Sequence, residues 1–139
     1  MLDVKVNSIV LIDDSHTDNL LNEQVIYKAN LAHEVIVFDN AEESIDWLQT
    51  SDDFGGYPQP ALILLDINMP WMNGWDFLDA FEDLPAYQKQ NIVIVMLTNS
   101  LNQTDWERAQ ASGLVTGFMT KPLTIEALHK VILTTFEFF

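Results

Sequence analysis

Three stretches of this chain, Ile9-Val10-Leu11-Ile12, Ala61-Leu62-Ile63-Leu64-Leu65 and Ile92-Val93-Ile94-Val95-Met96-Leu97, are apolar at every position. A strand with one wet face alternates apolar and polar side chains, so an unbroken run asks for burial on both faces. Strands of that kind build parallel sheets, and parallel neighbours need a crossover long enough to hold a helix. Val35 to Phe38 and Gly117 to Met119 extend the set of runs to five, the first of which spans Ser8 to Ile12. The segments between them carry helical periodicity and start signals: Asn40 before Ala41-Glu42-Glu43 as a capping box, Thr104 with Glu107 as another, and Thr124 after Pro122. Five repeats of strand then helix, joined by right-handed crossovers, predict an α/β fold. It is a doubly wound five-stranded parallel sheet in the order 2-1-3-4-5, with helices on both faces.

With 139 residues, 48% of them hydrophobic, the chain can fill one continuous core, so residues 1–139 are expected to form a single domain. Asp and Glu number 21 against 6 Lys and Arg, a formal net charge of −15, which argues against nucleic acid or an anionic membrane as direct partners. The absence of cysteine removes disulfides and thiolate metal sites, leaving a hard cation bound by oxygen, Mg²⁺ or Ca²⁺, as the metal this chain could hold. Met1 to Asn7 mixes charged and polar residues, the apolar runs are too short to cross a bilayer, and a cytoplasmic location is expected. Thr50 to Pro60 reads as a turn-rich loop, and Phe136-Glu137-Phe138-Phe139 as a helix end tucked onto the core or, failing that, an association site.

An open parallel sheet places its working groups at the carboxyl ends of its strands. Strand one delivers Asp13 and Asp14 there, strand three Asp66, strand four Thr98, and strand five Lys121 followed by Pro122. Taken singly, either Asp13 or Asp66 reads as a helix cap, Thr98 as a strand residue or cap, and Lys121 as a surface lysine. Taken together they supply metal ligands, a nucleophile, a hydroxyl donor and a counter-charge. Three carboxylates converging at one edge would repel one another unless a cation or proton sat among them.

These segments, with Leu64-Leu65-Asp66-Ile67-Asn68-Met69-Pro70 leading to Asn73-Gly74, Met96-Leu97-Thr98 and Lys121-Pro122-Leu123, resemble the receiver domain of two-component response regulators, in its stand-alone, chemotaxis-type form. The resemblance runs from about Val6 to the last helix and implies the flavodoxin-like fold, with no output domain. It further implies a phosphorelay function rather than an enzyme: Asp66 takes a phosphoryl group from a phosphohistidine on a histidine kinase or histidine phosphotransfer protein. Mg²⁺ would be held by Asp13, Asp14, Asp66 and the backbone carbonyl of Asn68, and Lys121 would neutralise charge. Thr98 and Phe118 would form the switch, Lys121-Pro122 would be cis, and an unidentified downstream protein would read the result.

Departures from the family pattern are Phe118, which lacks a tyrosine hydroxyl, Asn99 in place of a smaller residue, the long Thr50 to Pro60 loop, and Trp71, readable as a lid or a packed anchor. The last helix carries Ile125, Leu128, Val131, Ile132 and Phe136, an arc broad enough to bind a partner or a second copy of the chain, with Phe138 and Phe139 beyond it. Competing readings are a non-phosphorylated interaction module and, more remotely, a magnesium-dependent phosphohydrolase working through an aspartyl phosphate. The latter puts its nucleophile on the first strand with a second Asp two residues on, where this chain has Asn68 after Asp66. A flavin-binding relative is disfavoured because Asp13 and Asp14 would repel its phosphate.

Overall fold

A computed structural model describes residues 5–136; Phe138 and Phe139 lie outside the described residues. Strands β1 (Val6–Ile12), β2 (Ala32–Phe38), β3 (Leu62–Asp66), β4 (Val93–Thr98) and β5 (Val115–Thr120) form one sheet. Every pairing is parallel and the order is β2-β1-β3-β4-β5, as the apolar runs predict. The helices are α1 (His16–Ala29), α2 (Ala41–Gln49), α3 (Gly74–Glu82), α4 (Ala86–Lys89), α5 (Gln103–Ser112) and α6 (Ile125–Thr135).

The unbroken runs divide their side chains between two cores. Val10, Ile12, Ile63, Leu65, Ile94 and Met96 meet residues of α2, α3 and α5 on one face, while Ile9, Leu11, Leu62, Leu64, Val95 and Leu97 meet Ile26 of α1 and Leu128 and Ile132 of α6 on the other. Each such side chain contributes roughly 1.5–3 kcal/mol of transfer free energy when fully buried, so the central strands anchor the edge on which the site is built. Val131 of α6 and Phe136, the residue that caps its C-terminus, also pack against this second core, which absorbs most of the broad apolar arc and tucks the helix end inward. Ile125 alone of that arc remains well exposed, at 41%.

The helices depart from expectation in three respects: one start, one capping box and one extra turn. Helix α5 begins at Gln103 because Asn102 accepts from the Asp105 N–H at 2.8 Å; asparagine is a stronger cap than threonine, and Thr104 lies inside the first turn. Helix α2 has the Asn40 cap, accepting from Glu43 N–H at 2.8 Å, but the reciprocal box is formed at α3, between Asn73 and Asp76. The single turn α4 is an extra element, opened by Pro85, whose ring fixes φ at a value suited to starting a helix. In the Thr50 to Pro60 loop, Asp52 accepts from Phe54 and Gly56 N–H groups, each at 2.8 Å, and Gln59 donates to the Gln88 carbonyl at 3.0 Å. Trp71 is 92% exposed, with a left-handed φ of 63°, so the packed-anchor reading of that residue is wrong.

Gly74 lets α3 start hard against the end of β3. A Cβ there would lie 2.7 Å from the Asp66 carbonyl oxygen and 3.0 Å from the Ile67 Cα, both backbone atoms with little room to yield. Gly74→Ala is expected to lower stability by about 1–3 kcal/mol, read as a lower urea midpoint. An unchanged midpoint would show that the two segments separate freely.

Candidate functional site

Strand β1 ends at Ile12, and the Asp13 N–H donates to the Phe38 carbonyl at 3.1 Å, holding the next residue in line with the sheet. Asp13 is therefore buried at the sheet's carboxyl edge, while Asp14 is exposed. Strand β3 ends on Asp66 itself, which is 6% exposed. One oxygen from each of Asp13, Asp14 and Asp66 lies within 4.8 Å of the others. Lys121 follows β5 directly, and its Nζ sits 2.6 Å from Asp13 Oδ2, 3.1 Å from Asp18 Oδ2 and 3.3 Å from Asp66 Oδ1. The Lys121 N–H donates to the Thr98 carbonyl at 2.8 Å, tying the ends of β4 and β5 together, and the Lys121–Pro122 bond is cis.

Asp13, Asp14, Asp66 and Lys121 thus lie together at the carboxyl edge of the sheet. The other residues singled out by sequence lie around it. Thr98 is buried at the end of β4, with its hydroxyl donating to the Ser100 carbonyl at 2.9 Å and accepting from the Ser100 N–H at 3.2 Å. Asn68 is exposed in the loop after β3. Phe118 is half-buried on β5, with its ring centroid 5.9 Å from that of Trp106 on α5.

Burial, then the charge of Asp13, pushes the Asp66 carboxyl up to about 6, against the opposing pull of Lys121. For Lys121, burial alone would lower the ammonium's pKa. Its hydrogen bond to Asp13 and the charges of Asp66 and Asp13 outweigh burial and hold it above the ordinary lysine value. One ammonium among Asp13, Asp14, Asp18 and Asp66 leaves the pocket net negative. An all-oxygen set of carboxylates carrying excess negative charge fits a hard divalent cation such as Mg²⁺.

Asp18 is the member that sequence reasoning missed. Ser15-His16-Thr17-Asp18 has the form of a helix-capping pattern, in which the acid turns back to the cap's own N–H. Here only half of that exchange forms. The Ser15 hydroxyl accepts from the Asp18 N–H at 3.2 Å, but the Ser15 N–H donates to Asp13 Oδ1 at 2.9 Å. The Asp18 carboxylate reaches Lys121 instead. The capping pattern could have pointed to an acid at the mouth of the site; its partner could not be read from one strand-helix unit.

The family described as response regulator receiver domain matches residues 9–133. The chain belongs to that family. This receiver domain is 30% identical over 124 residues to the response regulator Rcp1 of Synechocystis, covering 89% of this chain and 82% of Rcp1. Among solved structures, a two-component response regulator from Cytophaga hutchinsonii superposes with a TM-score of 0.85 at 30% identity, covering 96% of this chain and 99% of that one. The phosphorylated cyanobacterial phytochrome response regulator RcpA superposes at 0.72 with 25% identity, covering 96% of this chain and 93% of that one. Receiver domains are modules of phosphorelay signalling that interact with histidine kinases and downstream targets. No helix among the described residues is long and apolar enough to cross a membrane.

Proposed function

We propose that this receiver domain takes a phosphoryl group onto Asp66 from a phosphohistidine of a histidine kinase or histidine phosphotransfer protein. The observation that carries the reading is the buried Asp66 carboxylate, 3.3 Å from Lys121 and grouped with Asp13 and Asp14. In the transfer, an Asp66 oxygen forms a bond to phosphorus as the bond from phosphorus to the donor imidazole nitrogen breaks, leaving an acyl phosphate and a free histidine. Phosphoryl transfer asks for positioning and charge neutralisation more than covalent chemistry, and Lys121, 3.3 Å from Asp66, would supply both. Asp13, Asp14, Asp66 and the Asn68 carbonyl would hold Mg²⁺, which when bound supplies further neutralisation of the phosphoryl oxygens. That RcpA is known in a phosphorylated form supports the assignment.

For the switch, the Thr98 hydroxyl would exchange its bonds to Ser100 for one to a phosphoryl oxygen, drawing its loop inward. Phe118, already half-buried, would follow into the space released. Phe118 also lines a groove of about 460 Å³ with Leu101, Pro122, Ala127 and Val131, between β5 and α6. A downstream protein, or a second copy of the chain, would bind this face, with its affinity set by the state of Asp66.

Binding linkage tests the site without a kinase. Mg²⁺ at about ten times its dissociation constant is expected to raise the melting temperature by roughly 3–6 °C. Beryllofluoride, a phosphoryl mimic, should raise it further only when Mg²⁺ is present, and only when Asp66 is intact. A wild-type domain indifferent to both would overturn the proposal.

A further inference from the structure

Asp18 stands outside the set that would hold the metal and accept the phosphoryl group, yet its Oδ2 is 3.1 Å from the ammonium that this reaction uses. It lines a cavity of about 170 Å³ with Leu21, Asn22, Asn99, Lys121 and Pro122, so its carboxylate lies on one wall of an opening that leads to Lys121. Its side chain is about one-third exposed, against 2% and 8% for those of Asp13 and Asp66. No helix-capping bond engages that carboxylate, because Asp13 has taken the Ser15 N–H.

We infer that Asp18 is a specificity-determining residue that discriminates among phosphodonors by their charge, through repulsion at the mouth of the site and competition for Lys121. The inference rests on the phosphoacceptor reading above. An incoming phosphoryl group must bring its negative oxygens to Lys121, and Asp18 opposes each added charge while holding part of the ammonium's hydrogen-bonding capacity. A donor whose nitrogen is protonated carries less net negative charge and meets a smaller barrier. Phosphohistidine and phosphoramidate are of that kind, and acetyl phosphate, a dianion, is not. In each case the Asp66 oxygen bonds to phosphorus as the leaving bond breaks. Acetyl phosphate releases acetate, and phosphoramidate releases ammonia from its protonated nitrogen.

The test compares the wild-type domain with Asp18→Asn and Asp18→Glu, measuring initial rates of labelling by acetyl phosphate and by phosphoramidate in saturating Mg²⁺, with melting temperatures alongside. Asp18→Asn is expected to raise the acetyl phosphate rate roughly three- to tenfold and the phosphoramidate rate by much less, with a weaker salt dependence for the former. Asp18→Glu, which keeps the charge, should retain the wild-type ratio. A purely structural role, through the ion pair with Lys121, would change the melting temperature while leaving the ratio of the two rates as it was, and that result overturns the inference. If the wild type takes label from neither donor, the phosphoacceptor reading itself fails, an outcome distinct from an unchanged ratio.

Discussion

Lys121→Met is expected to lower stability at pH 7, without divalent metal, by about 2–3 kcal/mol. Its ammonium is the group that holds Asp13 and Asp66 together in a nearly dry pocket, where their side chains are 2% and 8% exposed. Methionine matches the length of the stem, so packing is kept while the counter-charge goes. The loss falls short of that for a fully sealed pair because solvent reaches Asp14 and Asp18, and because Asp66 can relieve the strain by taking a proton. Two remedies should therefore work on the variant: lowering the pH toward 5, and adding Mg²⁺. Urea unfolding of wild type and variant at pH 7 and pH 5, in EDTA and in Mg²⁺, reads all three effects. A midpoint unaffected by the substitution would mean that the carboxylates are not held by Lys121.

Asp66→Asn is expected to do two things at once: to remove phosphoryl uptake entirely and, in EDTA, to stabilise the fold above pH 6. The second follows from proton linkage. The folded Asp66 carboxyl titrates near 6 against an ordinary value of 3.8, so between those values the folded state holds a proton that the unfolded chain has released. The stabilisation this gives is complete below about pH 4 and is lost as pH rises through 6. Asparagine resembles the protonated acid and does not titrate. Wild type and variant should then be about equally stable at pH 4, with the variant ahead by about 1–2 kcal/mol at pH 7, a figure reduced for solvent screening. Saturating Mg²⁺ should narrow that gap, since a cation among the carboxylates favours the ionised form against the burial and the Asp13 charge that raise the pKa. A gap independent of pH would mean that neither burial nor Asp13 raises the Asp66 carboxyl above its ordinary value.

Much of this architecture is legible in the sequence because the unbroken runs leave few alternatives. Ile9-Val10-Leu11-Ile12 and Leu62-Ile63-Leu64-Leu65 admit no wet face, and the topology that buries them also fixes which residues reach the carboxyl edge. The gathering of Asp13, Asp14, Asp66 and Lys121 was readable for that reason, being a consequence of strand order alone. What escaped depends on competition between local groups. Asp18 reaches Lys121 only because Asp13 wins the Ser15 N–H, and α5 starts at Gln103 only because Asn102 outcompetes Thr104 as a cap. The Thr98 hydroxyl turns to Ser100, a choice between neighbours that no spacing rule decides. Trp71 is large and apolar, which left a lid and a packed anchor both open, and the ring proves to be 92% exposed. Helix α4 is a single turn, too short for periodicity to register.

The phosphoacceptor assignment is tested most directly by intact-mass measurement after incubation with phosphoramidate and Mg²⁺. One phosphoryl group per chain is expected on the wild-type domain, lost on treatment with hydroxylamine as an acyl phosphate should be. No mass increase is expected on Asp66→Asn or on the wild type in EDTA. Label that persists on a folded Asp66→Asn variant would contradict the assignment of Asp66 as the acceptor.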